Sequence, residues 1–164
     1  MKFYLEQRLN ADFDTIQQIL ISPLYFQNLN ELDPGGKSEL VKKIITDDFI
    51  DLIVHYHFVG SLPSAAKAII DPSKLSWTEE TRIDKKTHKG TFSIIPDNYK
   101  DRLDCYGTTK LEVISENETL RVLEGDLKVH VFLLASAAEA GIVSGIKKHN
   151  EIEEKVINDL IKNN

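Results

Sequence analysis

The chain has 164 residues, 41% of them hydrophobic and 28% charged, with a formal net charge of −6 at pH 7. This length suits a single domain over residues 1–164. The acidic charge argues against nucleic-acid binding, which needs a basic surface. The single cysteine, Cys105, cannot form an internal disulfide, which favours a reducing compartment. No apolar run reaches the ~20 residues that span a bilayer, and no signal-peptide pattern is visible. We therefore expect a cytoplasmic protein without stable membrane insertion.

The N-terminal third begins with a strand and continues with two short helices. Residues 3–9 alternate between apolar and polar side chains, as in a strand with one wet face. Residues 13–20 then place apolar side chains at helical spacing, with Asp12 or Asp14 available as the N-cap. A second helical pattern over residues 24–32 ends at the Asp-Pro-Gly-Gly sequence of residues 33–36.

The middle of the chain consists mainly of alternating runs that predict antiparallel strands. Residues 38–59 predict a hairpin with its turn at residues 46–48. Its second strand has an apolar face, which we assign to the core: Ile50, Leu52, Val54, Tyr56 and Phe58. Residues 62–70 predict a brief helix or loop. Four further strands are predicted at residues 75–83, 89–95, 103–114 and 119–131.

The pattern becomes helical after Phe132 and continues to the end of the chain. Apolar side chains recur on or near one side of this long helix at Ile142, Ile146, Ile152, Val156 and Leu160. We expect this side to close the concave face of the sheet. The predicted order is a strand, two helices, a run of about six strands and a long helix. This order favours the α+β class over alternating βαβ units. The predicted architecture is a curved antiparallel β-sheet wrapped around the long C-terminal helix.

Several short segments, taken with this order of elements, carry a family resemblance. They are residues 11–16 (ADFDTI), 22–26 (SPLYF), 62–67 (LPSAAK), 77–80 (WTEE) and 124–129 (EGDLKV). The chain resembles the START-like superfamily, also called SRPBCC or helix-grip proteins, and within it an uncharacterised branch known as a domain of unknown function. The resemblance covers the whole chain and implies a single START-like domain. It further implies a cavity between sheet and helix of the kind that relatives use for lipids, sterols and polyketides.

The cavity implied by this resemblance suggests a set of lining residues. We expect it to be lined by Val54, Tyr56, Phe58, Trp77, Glu79, Cys105, Leu127, Ile142 and Ile146. Glu79 alternates with Trp77 and Ile83, so it faces an apolar interior if that face of the strand points inward. Such a carboxyl group could orient a ligand or act as an acid or base. Alternatively, Glu79 pairs with an Arg or Tyr, or Glu80 points inward instead.

A second group of residues has the composition of a metal site. His55 and His57 share a strand face with Asp51, as ligands on a strand would. The opposite face of this strand is the apolar one, so we expect both histidines to face solvent and to bind no metal. No catalytic residue and no cofactor is predicted, because no motif for nucleophilic catalysis or phosphate binding is present.

Three functions remain open from the sequence. The first is non-enzymatic binding of an apolar small molecule or lipid in the cavity. The second is a small-molecule enzyme of the cyclase, hydrolase or dehydratase type that uses a cavity carboxylate. The third is a protein-interaction module with a filled core and an exposed apolar patch. A cavity in which polar groups converge on a buried carboxylate would favour the enzyme. A cavity with a uniformly apolar lining would favour non-enzymatic ligand binding. The sequence leaves the oligomeric state open.

Overall fold

The computed structural model describes residues 1–33, 35–59 and 71–163. Ten regular elements and a short 3₁₀ turn, Pro72–Lys74, occur in these residues. We number the C-terminal helix α3. The elements are β1 (Lys2–Leu9), α1 (Phe13–Leu20), α2 (Pro23–Leu32), β2 (Gly36–Ile45), β3 (Phe49–Phe58), β4 (Ser76–Asp84), β5 (Lys89–Pro96), β6 (Leu103–Ser115), β7 (Glu118–Val129) and α3 (Ala135–Lys162).

The seven strands form one antiparallel sheet in the order β1-β7-β6-β5-β4-β3-β2. The chain thus runs as a meander from β2 to β7, and β1 pairs with β7 at the far edge. The helix α3 packs against β1, β7 and α2 on the inner face of the curved sheet. The predicted helix-grip architecture is confirmed. The brief element predicted for residues 62–70 lies outside the described residues.

Both short helices begin at side-chain caps. The carboxylate of Asp12 accepts a hydrogen bond from the backbone N–H of Thr15 at 3.0 Å, which satisfies an N–H group that the first helical turn leaves unpaired. The hydroxyl of Ser22 accepts from the N–H of Tyr25 at 3.2 Å in the same way, with Pro23 in the first turn of α2. These caps fix where the chain turns back after β1.

The register of β3 confirms which of its faces is buried. Ile50, Leu52, Val54 and Tyr56 are all buried on the inner face, and Phe58 is half-buried at the end of the strand. The two histidines of β3 lie on the outer face. Because side chains alternate along a strand, this register also turns Trp77 and Glu79 of the neighbouring β4 inward.

The inner face carries a large apolar cluster at each end of α3. One surrounds α1, α2 and the C-terminal half of α3, and includes Leu9, Ile16, Leu29, Val156 and Ile157. The other lies beneath the N-terminal half of α3 and includes Phe3, Phe92, Cys105, Leu127 and Val143. Two strand glycines make room for the rings of the second cluster. A Cβ at Gly107 would lie 2.6 Å from the Phe92 ring, and one at Gly125 would lie 2.2 Å from the Phe3 ring.

The buried side of α3 differs from the predicted apolar side. Val156 is buried and Ile146, Ile152 and Leu160 are half-buried, but Ile142 is 37% exposed. The positions that the helix buries are Val143, Asn150, Glu153, Val156 and Ile157. Two of these residues are polar. The face that α3 buries is therefore rotated about the helix axis relative to the face predicted from the apolar residues alone.

Candidate functional site

A small cavity of about 60 Å³ lies between the inner face of the sheet and the helices. Its apolar walls come from α1 and α2 and from β3, β4 and β6. Polar groups come mainly from β4, β6, β7 and α3. The lining residues are Leu20, Tyr25, Phe26, Leu52, Val54, Tyr56, Glu79, Thr81, Ile83, His88, Thr109, Lys110, Leu111, Arg121 and Glu153.

Three of the predicted lining residues lie at this cavity. Val54 and Tyr56 contribute to its wall from β3, and Glu79 does so from the adjacent β4. Trp77 is half-buried and stacks on the Tyr56 ring, with centroids 5.5 Å apart and planes 8° from parallel. It therefore packs against a ring that lines the cavity. Phe58 is half-buried and is not among the residues that line the cavity.

The other four predicted lining residues lie elsewhere. Cys105 and Leu127 are buried in the apolar cluster beneath the N-terminal half of α3, where Ile146 packs against them. Burial raises the pKa of the Cys105 thiol to about 12, as expected for an inert thiol inside a core. Ile142 is on the surface. Cys105, Leu127 and Ile146 lie away from the cavity because they fill the other apolar cluster of the core.

Glu79 is the cavity's distinctive group. Its side chain is half-buried, and among the described residues its only side-chain hydrogen bond comes from the Thr81 hydroxyl at 3.1 Å. No cation in the described part of the chain forms an ion pair with it. Burial, together with the nearby charge of Glu153, raises the pKa of Glu79. Removal of a carboxylate from water disfavours its charged form, so this group holds its proton to a higher pH than an exposed glutamate.

A buried polar network, which the sequence analysis missed, borders the cavity next to Glu79. Arg121 of β7 and Glu153 of α3 form an ion pair with 3.2 Å between Nη1 and Oε2. Arg121 also donates to Gln7 Oε1 at 3.0 Å. The Tyr25 hydroxyl donates to the other oxygen of Glu153. Burial opposes the charge of Glu153, but Arg121 and these hydrogen bonds together lower its pKa.

His149 extends this network towards α2. Its Nδ1 lies 2.7 Å from Asp33 Oδ2, at the end of α2, and its Nε2 lies 3.9 Å from Glu153 Oε1. Burial opposes the charge on His149, yet the hydrogen bond with Asp33 and the negative charge of Glu153 raise the pKa of the imidazole. The same hydrogen bond lowers the pKa of Asp33. The histidine therefore links α3 to α2, and the two neighbouring carboxylates favour its charged form.

The periodicity of the strands and of the long helix could have indicated that residues of this network face inward. Arg121 shares its face of β7 with Leu123 and Leu127, so it points inward like them. Glu153 lies three residues before Val156, on the same side of α3. Charged residues on buried faces mark a paired network, because an unpaired charge inside a protein is costly.

The histidines of β3 do not meet Asp51 in a metal site. Arg82 donates to both oxygens of the Asp51 carboxylate, at 2.7 and 2.9 Å. His55 instead pairs with Asp97, with 2.6 Å between Nε2 and Oδ2. Among the residues that the structure describes, no group of three or more His, Cys, Asp or Glu side chains is arranged to hold a metal ion.

A larger recess of about 1200 Å³ lies on the outer face of the sheet. It is an open groove between two rows of outward side chains, which include Tyr4, Arg82, Tyr106 and Glu124. One ion pair, between Arg82 and Asp51, lies within it. Ligand sites are normally concave and enclosed, so this groove is the weaker candidate.

Comparisons with known proteins support the fold. No family model matches the chain, and no curated protein is similar to it in sequence. Among solved structures, TTHA0849 from Thermus thermophilus aligns with a TM-score of 0.68 at 13% identity, over 97% of this chain and 95% of that one. The ZhuI aromatase/cyclase from Streptomyces aligns with a TM-score of 0.64 at 12% identity, over 99% and 93%.

A plant enzyme has the same architecture. Norcoclaurine synthase from Thalictrum flavum aligns with a TM-score of 0.61 at 16% identity, over 100% of this chain and 87% of that one. At this level of identity the likeness defines the class of fold, the helix-grip fold that the resemblance predicted. In the described part of the chain, no helix is long and apolar enough to cross a membrane.

Proposed function

We propose that this protein binds a small organic molecule with an apolar body and one polar group in the cavity between the sheet and α3. One observation carries the proposal: an apolar recess that contains a carboxyl group, Glu79, without a charged partner among the described residues. Ligand sites are mostly apolar concavities with a few placed polar groups, and this cavity has that composition.

The size of the cavity restricts the ligand. Ligand pockets commonly measure roughly 300–1,000 Å³, whereas this cavity measures about 60 Å³. A long acyl chain does not fit unless lining side chains move, so the geometry favours a single small ring or a polar head group. A nearly filled interior also agrees with a protein-interaction module. A filled core alone, however, does not require polar groups that converge on one cavity.

The fold comparisons support small-molecule binding in general terms. Two of the aligned structures are named as enzymes, an aromatase/cyclase and a norcoclaurine synthase. Function resides in the site, however, so the likeness supports the location of a ligand site rather than the identity of a ligand.

A pair of matched variants tests this proposal. Val54 lines the cavity, whereas Val143 is equally buried outside it, in the cluster beneath the N-terminal half of α3. Val54→Phe should fill the cavity. It should therefore abolish the binding of phenol, a neutral single-ring probe that fluoresces, and the displacement of phenol by a library of small aromatic compounds. Val143→Phe, with a similar cost of about 1–3 kcal/mol from overpacking, should leave binding unchanged. Equal binding by both variants, or no binding by the parent protein, would contradict the proposal.

An enzymatic role is the second candidate, and the raised pKa of Glu79 favours it. The upward shift favours the protonated form of Glu79, and a protonated carboxyl group is suited to general-acid catalysis. The Tyr56 side chain lies on the same wall of the cavity. Each compound that displaces the probe should be incubated with the protein and followed by mass spectrometry. Turnover that Glu79→Gln abolishes without weakening binding would establish catalysis, and intact ligands throughout would leave binding as the function.

A further inference from the structure

The buried region around the cavity holds more acidic than basic groups. Three carboxyl groups lie in or beside it, those of Asp33, Glu79 and Glu153. Two basic groups lie among them, Arg121 and His149. With all five ionised, these groups carry a net charge of −1. A buried charge without a partner is unstable, so the groups that the structure describes here lack one cation.

Within the described ranges, the ion-pair geometry identifies Glu79 as the acid without a charged partner. Arg121 is bound to Glu153 at 3.2 Å. His149 is bound to Asp33 at 2.7 Å. Each basic group is therefore already paired with one carboxylate, and the remaining carboxyl, Glu79, accepts only from the Thr81 hydroxyl within the described residues.

The two other basic side chains on the cavity lining do not fill this role. Lys110 reaches Glu112 at 2.5 Å, on the outer face of the sheet. His88 stacks its ring on Phe13, with centroids 3.8 Å apart, at the end of the cavity near α1. Neither forms an ion pair with Glu79 in the described part of the chain.

We propose that the ligand is an organic cation, a protonated amine on a small aromatic or apolar body, whose ammonium group pairs with the carboxylate of Glu79. This inference rests on the proposed function and names the class of ligand for the same cavity. The amine supplies the cation that the region lacks. The Tyr56 ring, held against Trp77, offers an aromatic face to the body of the ligand or to its charge.

The charge balance also predicts which ligands are rejected. A carboxylate or phosphate ligand would add a second negative charge beside Glu79 and Glu153, and Arg121 is already bound to Glu153. A neutral alcohol would gain one hydrogen bond but would supply no cation. An ammonium group gains a charge-assisted hydrogen bond, which is about twice as strong.

Benzylamine and benzyl alcohol form a matched pair of probes, because they differ mainly in the charge of the polar group. We expect the parent protein to bind benzylamine about tenfold or more tightly than benzyl alcohol in isothermal titration at pH 7, since hydrogen bonds to charged groups are the stronger ones. Glu79→Gln should abolish the preference. Glu80→Gln, a matched change on the exposed outer face, should retain it.

The outcomes separate this inference from the proposed function. Equal affinity for the two probes would overturn the inference while cavity binding stands, and so would a preference that survives in Glu79→Gln. If neither probe binds and phenol does not bind either, the proposed function fails as well. If Glu79→Gln does not fold, the comparison of the two probes on the parent protein still decides the question.

Discussion

Replacement of Arg121 with Met tests whether the buried network holds α3 on the sheet. The side chains of Arg121 and Glu153 are only 14% and 10% exposed, and their charged atoms are 3.2 Å apart. At an effective dielectric constant of about 20, two charges at this distance attract by roughly 5 kcal/mol before the cost of desolvation. Loss of one partner leaves the other charge buried and unpaired, so Arg121→Met should cost about 3–5 kcal/mol.

The double variant Arg121→Met/Glu153→Met should be less destabilised than Arg121→Met alone, because no unpaired charge then remains. Some cost persists, since Tyr25 and Gln7 lose an acceptor. Urea denaturation of all four proteins of the cycle at pH 7 gives the coupling energy.

An exposed ion pair provides the control. Arg8 and Glu118 are 2.8 Å apart, but the arginine side chain is 67% exposed. Arg8→Met should cost about 0–1 kcal/mol. If Arg121→Met costs no more than Arg8→Met, or if the two changes in the cycle are additive, the network does not hold the helix as described.

Three further predictions follow from the same structure. Burial raises the pKa of Glu79, so the folded state binds a proton there more tightly than the unfolded state does. The stability of the fold therefore falls as the pH rises from the ordinary glutamate value of 4.5 through the folded pKa. Glu79→Gln should remove this loss and stabilise the protein at neutral pH. The raised pKa of His149 stabilises the fold fully below pH 6.5, and this contribution is lost as the pH rises through the pKa of the folded state. His149→Gln should therefore make the stability less dependent on pH above 6.5. Gly107→Ala would place a Cβ 2.1 Å from the carbonyl oxygen of Glu124 and should cost about 1–3 kcal/mol or more, whereas Gly141→Ala in α3 meets open space and should gain about 0.8–1 kcal/mol.

Urea midpoints measured from pH 4 to pH 9 check the first two of these predictions, and midpoints at pH 7 check the third. A parent protein whose stability rises from pH 4.5 to neutrality, with Glu79→Gln showing the same rise, would contradict the assignment at Glu79. An unchanged slope above pH 6.5 in His149→Gln would contradict the assignment at His149. A neutral Gly107→Ala would show that the backbone around β6 and β7 adapts to a side chain.

The fold was predictable because the strand alternation is regular and each turn carries a strong local signal. β3 illustrates this: four apolar side chains at period two fix its buried face, and the predicted burial is observed. The cap at Asp12 and the break after Leu32 set the limits of the two short helices in the same local way.

The candidate site was less predictable because its residues come together only in the tertiary structure. Glu79 was predicted from the inward face of β4, but Arg121 and Glu153 lie 32 positions apart and become partners only when α3 packs on β7. Of the positions predicted from the apolar stripe of α3, Ile142 lies on the surface for a related reason. The face that α3 buries includes the polar residues Asn150 and Glu153, so the apolar residues alone did not indicate its direction.

The measurement that tests the central claim most directly is an NMR titration of the Glu79 carboxyl carbon, assigned by its absence in Glu79→Gln. If Glu79 lies in the cavity without a cationic partner, its pKa lies above 4.5 in the free protein and falls when benzylamine is present in saturating amounts, because the ammonium group stabilises the carboxylate. A pKa at or below 4.5 in the free protein, or one that benzylamine leaves unchanged, would contradict the account.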